Sequence, residues 1–295
     1  MGYSQHQSFY LRDRWLSKAI KNVEVNNSFF FEKDAFEKMG LGKNMVQSLK
    51  HWIIATKLFE EVRDNNQKYH QITSLGKFIK EKDRAIKYFN TAGLLHHSLA
   101  TNRDISTSWY WFFNVYTETA FTREEVLAEL TNWVQKREKR VISENSLKRD
   151  IDCLIKLYTS GGSSADPEEV ILSPLYKLNL LEERNGVIYK KEAKLDESNL
   201  LLIGYTLLKY MQGRNLSAIS IDDLVHKEEL LGKLFNMKRS SIVNLISAWT
   251  EHAEFPAVFT RTNNLDTLRL PEVLPEEFIY YEHEGKVEKV YDYSK

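Results

Sequence analysis

At 295 residues the chain exceeds what one ordinary core organises, so two or three domains are expected. Its 41 Lys and Arg balance 41 Asp and Glu, which excludes a protein that coats nucleic acid through net positive charge and leaves local basic patches as the electrostatic route to DNA. One cysteine, Cys153, excludes a disulfide framework and cysteine-rich zinc sites, and the absence of a membrane-length apolar run or a leader-like start makes a cytoplasmic protein without a membrane partner the expectation.

Along the chain, Glu32 to Met39 reads as a short helix stopped by Gly40 and Gly42, and Lys43 opens a second whose residues sort onto two faces. Met45, Val46, Leu49, Trp52, Ile53 and Thr56 form an apolar anchor. Lys43, Asn44, Gln47, Ser48, Lys50 and His51 form a polar side made of the residue types that contact phosphates and base edges. Lys57 to Val62 and Lys68 to Thr73 read as strands joined across Asn65-Asn66, with Arg63, Lys68 and His70 adding polar groups. Helix, turn, helix, hairpin is the order of a winged helix. Residues 77 to 120 are rich in aromatics, notably TSWYWFFNVY, and read as a core joint against which flanking helices pack.

The same order returns twice. Thr122 with Glu125 forms a capping box that fixes a helix start, and Ser143 caps a further helix with Asn145, Lys148, Arg149, Asp152 and Lys156 opposite Leu147, Ile151, Leu154 and Tyr158. KREKR, with Lys136, Arg137, Lys139 and Arg140, is the densest basic cluster and precedes that helix, where it would grip phosphate. SGGSSADPEE reads as a flexible loop, and Leu180 to Arg184 and Val187 to Lys191 as a hairpin across Asn185-Gly186. In the third instance Ser240 to Glu251 is the helix, and Val258 to Arg261 pairs with Leu265 to Leu270 across Asn263-Asn264. Its exposed stripe of Ser240, Asn244, Ser247 and Glu251 is nearly neutral and is not expected to hold DNA strongly. The C-terminal EHEGKVEKVYDYSK reads as a short hairpin or tail.

The expected fold is therefore mainly α with small β-hairpins, built as tandem winged-helix (helix-turn-helix) domains. Residues 1–120 are the first domain with the aromatic joint, 121–195 the second, and 196–295 a C-terminal winged-helix-like domain and tail. No catalytic or metal site is expected, nor any cofactor. His96 and His97 are adjacent and point to different helix faces, and His6, His226, His252 and His283 lack ligands at a metal spacing. Asp104, Asp150 and Asp152 stand as isolated carboxylates, and no P-loop, GxSxG, Rossmann glycine run or HExxH occurs.

FYLRDRWLSKAI, GLGKNMVQSLKHWIIATKLFEE, TSWYWFFN, FTREEVLAEL and VISENSLKRDIDCLIKLY, in this order, resemble successive blocks of a bacterial family classed as a domain of unknown function. Members of that family are often encoded beside PAPS-reductase-like proteins of DNA phosphorothioation and related phage-defence islands. The resemblance spans about residues 6 to 205 and implies double-stranded DNA and other proteins of the same system as partners. Two functions follow as expectations. One is a DNA-binding accessory of a modification or defence system; the other is a non-catalytic adaptor that assembles such a complex.

Overall fold

Gly40 ends the first short helix in the left-handed region, at φ 66, a conformation that a residue without Cβ adopts freely. In the computed structural model, which describes residues 2–160, 172–262 and 265–292, the chain is mainly helical with small antiparallel sheets. It divides into two compact units, Met1–Lys191 and Glu192–Lys295. The stretch read as a flexible loop lies, apart from Ser160, outside the described residues.

In the first unit, α1 (Trp15–Val25) buries Trp15, Leu16, Ala19, Ile20 and Val23, a stripe at helical spacing. Residues 29–31 form a 3-10 turn and Glu32 is extended, so α2 (Ala35–Met39) starts later than the sequence suggests. α3 (Lys43–Ala55) buries Val46, Leu49, Trp52 and Ile53, the expected anchor. β1 (Phe59–Asp64) and β2 (Gln67–Ile72) pair from Phe59↔Ile72 to Asp64↔Gln67. Their turn has positive φ at both Asn65 and Asn66, matching the right-handed twist of the strands.

α4 (Ser74–Lys82), capped by the Thr73 side chain, leads into α5 (Phe89–Thr101) and α6 (Thr107–Asn114). The aromatic run is core: Trp109, Tyr110, Trp111, Phe112, Phe113 and Tyr116 are all buried. β3 (Ala120–Phe121) precedes α7 (Arg123–Arg137), whose capping box forms as expected, with Thr122 and Glu125 each bonding the other's backbone N–H. α8 (Glu144–Thr159) follows, capped by Ser143. β4 (Leu181–Arg184) and β5 (Val187–Lys190) complete a sheet of order β3-β5-β4. This unit takes in both stretches that the sequence separates at 120, because their side chains share one core. Tyr158 of α8 hydrogen-bonds His96 of α5 at 2.7 Å and lies against Phe113 of α6, while Phe121 packs edge-on to Phe112.

The second unit contains α9 (Leu200–Arg214), β6 (Ile219–Ser220), α10 (Ile221–His226), α11 (Leu231–Leu234), α12 (Arg239–Thr250), β7 (Val258–Thr262), β8 (Leu265–Arg269) and α13 (Pro275–Asp292). Its sheet order is β6-β8-β7. The expected turn residues Asn263 and Asn264 lie outside the described residues. The C-terminal stretch is a correction: residues read as a hairpin or tail continue α13 to Asp292. Pro275 at the first helical position and Glu276 and Glu277 in the first turn favour a helix start, and Phe278, Ile279 and Glu282 are buried one turn apart. The surrounding charge and Gly285 hide that short stripe in the sequence.

α13 packs on α9 at Gly204, where a Cβ would stand 2.1 Å from Cε1 of the fully buried Phe278 ring. Gly204→Ala is expected to destabilise the second unit by about 1–3 kcal/mol, since overpacking outweighs the gain in helix propensity. Denaturant unfolding measures this, and an unchanged midpoint would show that the ring has room to move.

Candidate nucleic-acid interface

The first candidate face is α3 and its hairpin. Lys43, Asn44 and Gln47 are exposed, with the Lys43 Nζ 4.7 Å from the Phe36 ring centroid. Ser48, expected on the outer side, is buried: its hydroxyl donates to the Phe9 carbonyl at 3.2 Å, beside the Trp52 indole N–H at 3.0 Å. His51 is half-buried, its ring facing His6 and Trp52. The N-terminal segment lies along this side of α3, so two of the six polar residues face protein. Helical periodicity has no way to register a covering segment that is distant in sequence. Lys50 sits 3.7 Å from the Phe31 centroid and 3.3 Å from Glu61, and burial pushes its pKa down. Lys68 bonds the other Glu61 oxygen at 2.6 Å, and Arg63 is exposed and donates to Asn66. One carboxylate thus offsets two of the lysines meant for phosphate.

Burial, and then His6, pushes His51 down to about 3; burial, and then Lys50, pushes His70 down to about 4, its ring stacked on Phe31. Both rings are neutral when folded and take up a proton more readily when unfolded. Stability is therefore full above about pH 6.5 and falls as pH drops toward the folded values, by about 1.4 kcal/mol per pH unit for each ring. His70→Phe, which keeps the stack, is expected to lose less stability than the parent between about pH 7.5 and about pH 5.5 in denaturant melts. Equal losses would contradict it.

The second candidate face is the end of α7, the loop after it and the start of α8. Residues 136–149 carry six Lys or Arg against two Glu. Lys136, Arg137, Lys139, Arg140, Asn145, Lys148 and Arg149 are all exposed. Among the described residues no carboxylate pairs with Lys136, Arg137, Lys139, Lys148 or Arg149. Arg137 stacks 5.0 Å from the Trp133 centroid, and Glu138 accepts from the Tyr3 hydroxyl at 3.1 Å. Arg123 braces the domain from the other end of α7, with a two-pronged contact to Glu183 and Asp152 at 3.5 Å. Lys50 and Lys68, by contrast, both face Glu61.

What holds this face is a buried hub absent from the sequence-level site. Asp150, one residue beyond Arg149, accepts from the Ser4 backbone N–H at 2.8 Å, His6 Nε2 at 2.8 Å and the Ser108 hydroxyl at 2.6 Å. Ser4, Gln7 and Ser8 all take positive φ to place the segment there. The three side chains are not a hydrolytic triad. The serine donates to the carboxylate rather than to the imidazole, so no base is set to take its proton, and His6, Ser108 and Asp150 are all buried. Cys153 is also buried, and its thiol is pushed up well above its ordinary value.

In the second unit, Ser240, Asn244, Ser247 and Glu251 form the exposed stripe of α12, and Arg239 is held by Asp222 and by Asp266 at 2.9 Å. That face is neutral. Among the described residues no group of three or more His, Cys, Asp or Glu could hold a metal ion, and no helix is long and apolar enough to cross a membrane.

A family model described as "Protein of unknown function (DUF4007)" matches residues 3–281. The chain belongs to the DUF4007 family. The match runs well past residue 205, where the block resemblance fades, and takes in most of the second unit. A comparison with curated proteins gave no match. Two solved structures share the fold. One is described as "Magnesium ion-bound SspB crystal structure", with a TM-score of 0.82, 21% identity, and coverage of 97% of this chain and 87% of that one. The other, "SspB crystal structure", has a TM-score of 0.81, 22% identity and the same coverage. At such identity the likeness is one of fold.

Proposed function

We propose that this chain is a DNA-binding accessory protein of a bacterial DNA-modification or phage-defence system, working in the cytoplasm and positioning or recognising double-stranded DNA through winged helices. The observation that carries the reading is the set of exposed cations at Lys136, Arg137, Lys139, Lys148 and Arg149, without a carboxylate partner among the described residues and gathered where α7 hands over to α8. Sheet orders β3-β5-β4 and β6-β8-β7, each with its helices between the first strand and the hairpin, support the winged-helix assignment. α8 then occupies the reading-helix position. Lys148, Arg149 and the preceding loop act on phosphates, and Asn145 is placed to meet a base edge. The link to phosphorothioation or related systems rests on the block resemblance, together with the fold shared with the SspB structures.

The α3 face is secondary in this proposal, with Lys43, Asn44 and Gln47 as its available side chains. The chain is assigned no reaction of its own, since among the described residues no nucleophile with a positioned base emerges from the buried polar groups. Titration of a fluorescent duplex tests the binding, and incubation of supercoiled plasmid with magnesium tests the rest. Saturable binding at low salt with intact plasmid is expected. Failure to bind would favour the adaptor reading, and nicked plasmid would overturn the absence of a reaction.

A further inference from the structure

On α7, a short way from the basic loop, a cleft of about 580 Å³ opens between α7, the end of α6 and the segment leading to β3. Its lining includes the aromatic rings of Trp111, Tyr116, Phe121 and Trp133 and the carboxylates of Glu118, Glu125 and Glu129. Trp111, Tyr116 and Phe121 are buried, which fixes the rings, while the three glutamates are exposed. Among the described residues none of these glutamates is in an ion pair; Glu125 is held by the Thr122 backbone N–H at 2.7 Å, which leaves Glu118 and Glu129 to meet a cation. They push the Tyr116 hydroxyl, already raised by burial, up to about 12. The indole N–H of Trp133 is buried with no hydrogen-bond partner among the described residues.

The rings already accept cations: Lys190 Nζ lies 4.6 Å from the Phe112 centroid and 5.0 Å from that of Tyr116, and Arg137 stacks on Trp133. Lys136 lines one edge of the cleft, and the remainder, with Glu118 and Glu129, is acidic. The geometry points to a docking site for an arginine side chain in a basic segment of a partner protein. A guanidinium stacks flat on aromatic rings while its edge bonds carboxylates, which an ammonium does less well. The volume suits an arginine with its flanking backbone. This partner site does not depend on DNA binding, and it would let one helix hold DNA and a basic protein at adjoining places, with Lys136 at their shared edge.

The probe is an end-capped Gly-Gly-Arg-Gly-Gly peptide, followed by tryptophan fluorescence and NMR, with its citrulline counterpart and free arginine as comparisons. Saturable binding is expected for the arginine peptide, with affinity at least about tenfold weaker for the citrulline peptide and for a Glu118→Gln/Glu129→Gln variant. Both glutamates are exposed, so the variant is expected to fold, and an unchanged melting curve verifies this. No saturable binding, or equal binding of the citrulline peptide, would overturn the site. Free arginine binding as tightly as the peptide would overturn the protein-partner assignment in favour of a small cation.

Discussion

Asp150→Ala is expected to destabilise the first unit by about 3–5 kcal/mol, a large share of a typical domain's stability. The carboxylate is buried and receives three donors, the Ser4 backbone N–H, His6 Nε2 and the Ser108 hydroxyl. Alanine leaves all three without an acceptor, those of His6 and Ser108 buried away from water, and each buried orphan is unfavourable by about 1–3 kcal/mol. The penalties overlap because relaxation of the N-terminal segment relieves more than one. That segment also supplies the Phe9 carbonyl to Ser48 and Trp52, so its release loosens α3 as well. Asp152→Ala, two residues on, is the comparison: its carboxylate is half-exposed and pairs with Arg123 at 3.5 Å, so it is expected to shift stability by no more than about 0.5 kcal/mol. Denaturant unfolding of both variants decides the point. Similar small effects would mean that the hub does not organise the unit.

The second large effect is expected on DNA. Lys148→Glu/Arg149→Glu replaces two exposed cations by anions at the start of α8, and under the proposed function duplex affinity at low salt is expected to fall by about 100-fold or more. Both side chains are exposed, so the melting temperature is expected to stay near that of the parent. Lys50→Ala/Lys68→Ala, in the first hairpin unit, is expected to change affinity by no more than about threefold, because both lysines already pair with Glu61. Titration of a fluorescent duplex compares the three proteins. The reverse order of effects would return the main contact to α3, where the sequence first places it.

Much of the fold is legible in the sequence because its signals are local. Asn65-Asn66 and Asn185-Gly186 reach positive φ at little strain and so mark their hairpins. Thr122 and Glu125 satisfy each other's backbone donors three residues apart, which fixes the start of α7. The basic run before α8 is equally local, and its exposure follows from charge. What the sequence hides is distant in the chain. Nothing near Ser48 or His51 announces that residues 3–9 will cover them, and nothing near Asp150 announces His6, 144 positions away. The balance of charge at α3 is of the same kind, since Glu61 reaches Lys50 and Lys68 only once the hairpin has folded back. The acidic aromatic cleft likewise needs α6 and α7 brought together before its glutamates and rings form one surface. The C-terminal helix is missed for another reason: one short apolar stripe sits in a strongly polar stretch.

The central claim, that the α7–α8 region binds DNA through its phosphates, is tested most directly by the salt dependence of duplex affinity in the parent and in Lys148→Ala/Arg149→Ala. The account predicts saturable binding by the parent whose affinity falls steeply with salt, and a slope of log affinity against log salt that is shallower by about two units in the variant, about 0.9 for each lost contact. An unchanged slope in the variant, or no binding by the parent at low salt, would contradict it.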